Sequence, residues 1–334
     1  MIKRLFVFLV LVLIATGMVY SAGQSSSGGG GKITLRLGGI QAAEDISTQG
    51  MERMAKAVAE RSKGSLEIQV YPASQLGNAT TQIEAVSIGS QDMFIDASGF
   101  VGTFLKDRQI DGMFFLFRDA AHYKAFMESD LNKGLEEDFR KLKNVRIISR
   151  NWFRAPRSFV SKTPFDANSF VDMKVRVPDI KGYLESVVAM GGKPTQVAWG
   201  ETYLALSQGV VDAAEGPADN LYSMKFYEVA KNIMLTHHLR DSLEMMINDR
   251  VWGRLSADQQ KILVDAANEA GDWYTSQVNT TVESAFKAIR EGGGVFHEID
   301  VGPIRAKVAR RIEQIEAEGS MWRKGLYQEI QNIR

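Results

Sequence analysis

The sequence predicts an α/β protein with two lobes, and three features support this prediction. Residues 33–37 and 66–70 alternate apolar and polar side chains on either side of a helical pattern, which implies two parallel strands joined by a crossover helix. A similar helix-to-strand unit occurs twice, at 85–92 and 205–212. A helical pattern near the C-terminal end is long enough, at roughly 1.5 Å per residue, to reach across both lobes.

Composition and charge narrow the classes of function. The 334 residues contain 40 Lys and Arg and 40 Asp and Glu, so the net charge is zero and no basic field attracts nucleic acid. Cysteine is absent, which excludes disulfides, thiolate metal sites and a cysteine nucleophile. His237 and His238 are adjacent, so on a strand they point to opposite faces and make poor joint metal ligands. We expect no metal and no cofactor.

The N-terminus predicts export. Two basic residues, an apolar run that ends at Val19 and small residues at 21–23 form the pattern of a secretory signal peptide over residues 1–22. An uncleaved N-terminal membrane anchor is the alternative. Residues 23–31 are mostly serine and glycine and predict a flexible tether, so the folded part should begin near Lys32.

The first half of the chain alternates predicted strands and helices. Strands are expected at 33–37, 66–70, 92–95 and 145–153, and helices at 47–64, 80–88 and 120–142, the last as one or two helices. Ser47 is the predicted N-cap of the first helix, and Gly64 is its predicted C-terminal cap. The small-residue stretch 97–102 is expected to be a loop, and the apolar stretch 113–117 is expected to lie in the core.

The second half continues the pattern as far as the C-terminus. Strands are expected at 173–178, 195–198, 243–247 and 295–299, and helices at 182–190, 201–208, 224–231, 256–291, 303–319 and from there to 334. Ser256 is the predicted N-cap of the long helix, which Gly292 ends. In the repeated unit, the two copies share Ala, Ser, Gly and Asp, and each reads as a helix, a glycine cap and a strand. This echo favours two lobes built on the same plan.

Two arginines mark the candidate binding site. Val175 and Val177 alternate with polar residues as in a half-buried strand, and Pro178 ends it, so Arg176 lies at a strand end where sheet proteins tend to place ligand-binding groups. Arg157 begins the preceding apolar run. If the two runs are neighbours, their guanidiniums can converge on one anion, and a guanidinium matches a carboxylate bidentately. The alternative is a solvated arginine on a strand surface.

Four segments give the mature chain a resemblance to a known family. They are Gly64-Ser-Leu-Glu-Ile-Gln-Val-Tyr-Pro-Ala-Ser-Gln-Leu-Gly77, Met173-Lys-Val-Arg-Val-Pro178, Glu201-Thr-Tyr-Leu-Ala-Leu-Ser-Gln-Gly-Val-Val-Asp212 and Met224-Lys-Phe-Tyr-Glu-Val-Ala230. In this order they resemble the motifs of DctP-type solute-binding proteins of tripartite ATP-independent periplasmic (TRAP) transporters. The resemblance implies a two-lobed α/β fold like that of type II periplasmic binding proteins, with a long helix spanning both lobes.

The same resemblance implies the site. It makes Arg176 the partner of a ligand carboxylate and Arg157 a second positive contact, with Arg154 as the competitor of Arg157. By analogy, Trp199, Asn78 and Glu215 complete the set of expected ligand-binding residues. The chain departs from the family at Gly216, where several acid-binding members have asparagine, so any side-chain hydrogen bond from that position is lost.

The expected function is capture of a small organic acid or sugar acid in the periplasm and delivery to integral membrane permease subunits. The expected lobes are residues 32–154 with about 242–281, and residues 155–241 with about 282–334. One alternative is the binding protein of an ATP-driven importer. The other is a secreted enzyme, although no P-loop, paired-histidine, nucleophile-elbow or dinucleotide motif occurs in the sequence.

Overall fold

Residues 32–334 are described by a computed structural model, in which strands and helices alternate. The strands are β1 (Ile33–Gly38), β2 (Leu66–Tyr71), β3 (Met93–Ala97), β4 (Val145–Phe153), β5 (Arg157–Ser161), β6 (Lys174–Val177), β7 (Lys193–Gln196), β8 (Ala213–Pro217), β9 (Asn232–Leu239), β10 (Ser242–Asn248) and β11 (Val295–His297). The predicted signal peptide, residues 1–22, and the predicted tether, residues 23–31, lie outside the described residues.

Twelve α-helices lie within the same range. They are α1 (Ile46–Arg61), α2 (Ala79–Ile88), α3 (Ala120–Glu128), α4 (Asp130–Lys143), α5 (Lys181–Met190), α6 (Thr202–Gln208), α7 (Ala218–Ser223), α8 (Phe226–Val229), α9 (Asp249–Arg254), α10 (Ala257–Glu291), α11 (Gly302–Glu318) and α12 (Leu326–Gln331). Short 3₁₀ helices cover Ser98–Thr103, Lys106–Gly112 and Trp199–Glu201. Among the described helices, none combines the length and the apolar character needed to cross a bilayer.

Two mixed sheets organise the molecule into two lobes. Sheet 1 has the strand order β2-β1-β3-β10-β4, in which β1 pairs parallel with β2 and β3, and β10 runs antiparallel to β3 and β4. Sheet 2 has the order β11-β9-β5-β8-β6-β7, in which β5 is antiparallel to both of its neighbours. The predicted strand–helix–strand start is therefore present as the parallel pair β1 and β2 with α1 between them in the chain.

The long helix α10 spans both lobes. Ser256 begins it with a capping box in which its side chain accepts from Gln259 N and the Gln259 side chain accepts from Ser256 N. The first half packs Leu263 and Tyr274 into the core of sheet 1, and Ile289 near its end joins the core that covers sheet 2. One continuous helix thus ties the two cores together.

The repeated unit is present in both lobes. Helices α2 and α6 each end in a glycine with a left-handed backbone, Gly89 with φ of 83° and Gly209 with φ of 74°. Each glycine leads into a buried central strand, β3 in sheet 1 and β8 in sheet 2. Because L side chains rarely adopt this conformation, glycine at these two positions ends the helix and redirects the chain.

Several local predictions were wrong. The N-cap of α1 is Asp45, which accepts from Ser47 N at 2.9 Å, and the helix ends at Arg61, before Gly64. The predicted helix at 224–231 shrinks to the single turn α8, because α7 precedes it and β9 begins immediately afterwards. The predicted loop at 97–102 is largely a buried 3₁₀ helix. A neighbouring cap decides the start of α1, and the adjacent elements α7 and β9 limit α8.

A fully buried ionic cluster joins sheet 1 to its helices. The Arg108 guanidinium contacts Asp111 Oδ2 at 2.5 Å and Glu244 Oε1 at 2.8 Å. Asn132 connects this group to Glu136 on α4, with 2.9 Å between Asn132 Nδ2 and Glu136 Oε1. Burial raises the pKa of Asp111 to about 7, although Arg108 opposes the rise. The pKa of Glu136 is also raised to about 7, mainly by burial and then by Glu244.

These raised pKa values predict a pH-dependent stability. A carboxyl whose pKa is about 7 when folded and 3.8 when unfolded stabilises the fold below pH 3.8, and this contribution is lost as the pH rises through 7. For Asp111 alone we expect the free energy of unfolding to fall by about 1 kcal/mol between pH 6 and 8. Urea unfolding of wild type and Asp111→Asn at both pH values measures this. An equal fall in the two proteins would contradict the assignment.

Candidate ligand-binding site

A cleft between the two sheets opens at the carboxyl ends of their strands, where α/β proteins commonly bind ligands. The larger part, here called the outer cavity, has a volume of about 330 Å³. The inner cavity adjoins it and has a volume of about 20 Å³. Both are lined by Ile40 and Phe100, which follow strands of sheet 1, and by Arg176, Pro178 and Trp199, which lie on or after strands of sheet 2. A ligand in the cleft therefore touches both lobes.

Arg176 forms the floor shared by the two cavities. It lies on β6 and is only 2% exposed, and its Nε donates to Val197 O at 2.9 Å. Within residues 32–334, its two terminal nitrogens make no hydrogen bond to the protein, and its nearest carboxylate is Glu215 at 3.9 Å. Burial lowers the pKa of Arg176 to about 10, because Glu215 offsets only part of the desolvation. This guanidinium is thus buried, charged and incompletely paired.

Arg157 is held differently. The sequence left open that the strands carrying Arg157 and Arg176 are neighbours. They are not, because β8 lies between β5 and β6. From β8 the fully buried Glu215 binds both Nε and Nη2 of Arg157, the latter at 2.8 Å, and Asp241 lies 3.3 Å from Nη1. Arg157 holds the pKa of Glu215 well below its usual range despite burial. Arg157 still lines the inner cavity, whereas Glu215 lines neither cavity.

Trp199 packs against Arg176. The Arg176 guanidinium carbon lies 5.2 Å from the centre of the indole ring, and Phe226 meets the ring edge-on at 5.0 Å between centroids. Buried Nε1 of Trp199 has no hydrogen-bond partner among the described residues. Trp199 lines both cavities, so the structure brings it together with Arg176.

Gly216 provides the space for this tryptophan. A Cβ atom on Gly216 would lie 3.1 Å from Trp199 Cη2 and 3.3 Å from Leu221 Cδ2. We expect Gly216→Asn to lower the free energy of unfolding by about 1–3 kcal/mol, because the added side chain overpacks the site. Gly200→Asn is the matched control, since nothing lies within 4 Å of a Cβ at Gly200. Chemical denaturation compares the two, and equal stability would contradict this account of Gly216.

Asn78 lies on the opposite wall, at the N-terminus of α2. Its Oδ1 accepts from Thr81 N at 2.9 Å and caps the helix, and the residue also lines the outer cavity. Asn78 Oδ1 therefore caps the helix, while the side-chain NH₂ of Asn78 remains at the wall of the outer cavity.

The sequence analysis missed three residues with polar side-chain groups that line the inner cavity, Gln41, Asp96 and Tyr183. Asp96 is the last residue but one of the buried strand β3, whose other residues are all apolar. An acid in such a strand is itself a signal, because buried carboxylates need a partner. Arg154, named beforehand only as a competitor, also lines the inner cavity and pairs with Asp241 at 3.1 Å.

Histidine 238 is buried beside Glu215 and His237 is exposed, as the strand alternation predicts. No cluster of three or more histidine, aspartate or glutamate side chains suited to a metal ion occurs within residues 32–334.

Comparison with known proteins identifies the family. Residues 37–318 match the family model described as bacterial extracellular solute-binding protein, family 7, also called DctP. The chain belongs to this family. Its members are the solute-binding proteins of TRAP transporters, as the sequence motifs had indicated, and the two-lobed fold is also confirmed.

Characterised relatives of the DctP family bind different acids. The chain is 28% identical over 276 residues, covering 81% of this chain and 85% of the relative, to the sialic acid-binding periplasmic protein SiaP of Vibrio cholerae. It is 24% identical over 271 residues, covering 80% of each protein, to the C4-dicarboxylate-binding periplasmic protein DctP of Rhodobacter capsulatus.

Solved structures of TRAP periplasmic solute-binding proteins are similar throughout. The protein from Ochrobacterium anthropi with bound L-fuconate superposes with a TM-score of 0.83 at 26% identity, over 90% of this chain and 98% of that one. The protein from Desulfovibrio salexigens with bound orotic acid gives a TM-score of 0.82 at 27% identity, over 90% and 96% of the two chains.

Proposed function

We propose that this family member captures a small organic acid or sugar acid in the periplasm and delivers it to the integral membrane permease subunits of a TRAP transporter. The observation that carries the proposal is Arg176, whose buried terminal nitrogens face the cleft without a hydrogen-bond partner among residues 32–334. A ligand carboxylate supplies two acceptor oxygens in the geometry of a guanidinium fork.

The energetics favour a carboxylate over a neutral group. The pKa of Arg176, about 10 against the ordinary value of 12.5, means that its surroundings disfavour the charged form, mainly because it is buried. A carboxylate placed on the guanidinium offsets that cost, because opposite charges attract more strongly where water is excluded. A neutral ligand of the same shape would leave the cation unpaired.

The other expected residues have distinct roles in this proposal. Arg157 donates two hydrogen bonds to Glu215. The Glu215 carboxylate, 3.9 Å from Arg176, partly balances the charge of Arg176 on the side away from the ligand. Arg157 reaches the ligand only through the inner cavity. Trp199 provides an apolar face for the carbon skeleton, and Asn78 supplies an amide across the outer cavity.

Closure of the lobes couples binding to delivery. We propose that lobe I comprises residues 32–154 with about 242–281, and lobe II comprises residues 155–241 with about 282–334. Asp45 joins them, since its Oδ2 accepts from Asn220 Nδ2 at 2.6 Å and from Ser223 Oγ at 2.9 Å. A ligand that touches both lobes binds the closed form more tightly and so shifts the equilibrium towards it. The closed form then docks on the permease.

A thermal-shift screen of residues 32–334 tests the proposal. The library contains monocarboxylates, dicarboxylates, aldonates and uronates, each beside its neutral alcohol or sugar counterpart. A specific acid should raise the midpoint of unfolding in proportion to the logarithm of its concentration above the dissociation constant. Chromatography of each hit after incubation should show no turnover, because we propose a binding protein and not an enzyme. A screen in which only neutral compounds bind would refute carboxylate capture.

A further inference from the structure

The inner cavity is lined by hydrogen-bond acceptors that have no partner within residues 32–334. Asp96 is 2% exposed and Gln41 is 7% exposed, and both line this cavity. Asp96 Oδ1 accepts from Ala97 N at 2.7 Å, but buried Asp96 Oδ2 has no hydrogen-bond partner among the described residues. The same holds for buried Gln41 Oε1. Buried polar atoms without a partner are costly and call for an explanation.

The neighbouring arginines do not satisfy Asp96. Arg157 is bound to Glu215, and Arg154 donates to Asp241 and to Asn220. Both lower the pKa of Asp96 through their charge, yet burial prevails and raises it to about 6. Above that pH the side chain is ionised and only accepts hydrogen bonds. Its missing partner is therefore a donor.

The volume of the inner cavity limits what the donor can be. About 20 Å³ accommodates one water-sized group, so a single hydroxyl fits and a second carboxylate does not. Arg176 and Asp96 line the same small space. Because both side chains line this one-group space, a group that reaches Asp96 while the ligand carboxylate lies on Arg176 is best placed on the carbon next to that carboxylate.

We propose that Asp96 is a specificity-determining residue that accepts a hydrogen bond from the 2-hydroxyl of the ligand, so that the protein selects 2-hydroxy acids over 2-oxo acids. The inference rests on the proposed carboxylate capture by Arg176. A 2-oxo group in the same place brings an acceptor oxygen against the Asp96 carboxylate, so neither group is satisfied. Buried Trp199 Nε1, which also has no hydrogen-bond partner among the described residues, lies beside Arg176 and serves the carboxylate together with the Arg176 terminal nitrogens.

Matched ligand pairs test this inference by calorimetry on residues 32–334. The pairs are lactate with pyruvate, 2-hydroxyglutarate with 2-oxoglutarate, and 2-hydroxyisovalerate with 2-oxoisovalerate, whose oxo forms do not close to a ring that carries a 2-hydroxyl. In each pair that binds, the hydroxy acid should bind about tenfold to a hundredfold more tightly, the range expected for one hydrogen bond to a charged group. This comparison needs no variant, so it does not depend on how a substituted site folds.

Asp96→Asn provides the second arm. Its amide can donate to an oxo oxygen, so the ratio of the two affinities should fall to about one or invert. Asp138→Asn, an exposed position on α4, is the matched control and should keep the wild-type ratio.

The outcomes separate the two proposals. Equal affinities in every pair, or a tightest ligand without a hydroxyl next to its carboxylate, overturn the role of Asp96 and leave carboxylate capture standing. An unchanged ratio in Asp96→Asn also overturns it. Failure of every acid to bind overturns carboxylate capture itself, and the role of Asp96 falls with it.

Discussion

Replacing Arg176 with methionine is expected to weaken binding of the acid ligand strongly, while the ligand-free protein stays at least as stable as the wild type. Loss of a two-pronged charge-assisted interaction in a buried site should weaken binding by about a hundredfold or more. Stability should not suffer, because methionine fills similar space without the cost of burying a cation whose terminal nitrogens have no hydrogen-bond partner among residues 32–334.

Calorimetry with the best acid from the screen and urea unfolding without ligand measure the two effects separately. Arg146→Met is the control, because Arg146 pairs with Asp249 at 2.7 Å on sheet 1, outside both cavities. It should retain wild-type affinity. If Arg176→Met kept its affinity, or lost binding only because it unfolded, the role of Arg176 as the carboxylate partner would be wrong.

Replacing Glu215 with glutamine is expected to destabilise the protein strongly. Glu215 is fully buried, binds Arg157 through two of its nitrogens and lies 3.9 Å from Arg176. Removing one partner of a buried ion pair leaves the cations uncompensated, at a cost of about 3–5 kcal/mol. Because the pKa of Glu215 is depressed, its contribution is present above the unfolded value of 4.5 and is lost as the pH falls below it.

Urea unfolding at pH 7 and pH 3.5 measures this contribution. The difference between wild type and Glu215→Gln should be large at pH 7 and smaller at pH 3.5. Glu60→Gln breaks an exposed ion pair with Lys56 and should leave the unfolding curve nearly unchanged. Similar stability of wild type and Glu215→Gln at pH 7 would show that Glu215 does not balance the arginines.

Elements defined by local chemistry were predictable from the sequence. The N-cap at Ser256, the glycines Gly89 and Gly209 that end helices, and the alternation that places Arg176 on β6 each depend on a few neighbouring residues. The strand-end position of Arg176 at the cleft follows from Pro178, which cannot continue the ladder.

Features that depend on tertiary pairing were not predictable in the same way. The insertion of β8 between β5 and β6 separates the two arginines and places Glu215 behind them. Propensity gives no information on which strands become neighbours. The inner cavity likewise combines Gln41, Asp96 and Arg154 from distant parts of the chain. Asp96, the acid within the apolar strand β3, was the only local signal among these three residues. It marks one residue of the site but does not predict which residues lie beside it.

The most direct test of the account compares the best acid ligand with its primary amide, which keeps the shape and removes the charge. Isothermal titration calorimetry at pH 7 should show the acid binding wild type at least about a hundredfold more tightly than the amide. In Arg176→Met the two ligands should bind about equally. If wild type bound the amide as tightly as the acid, a carboxylate would not be what Arg176 recognises, and the central claim would be wrong.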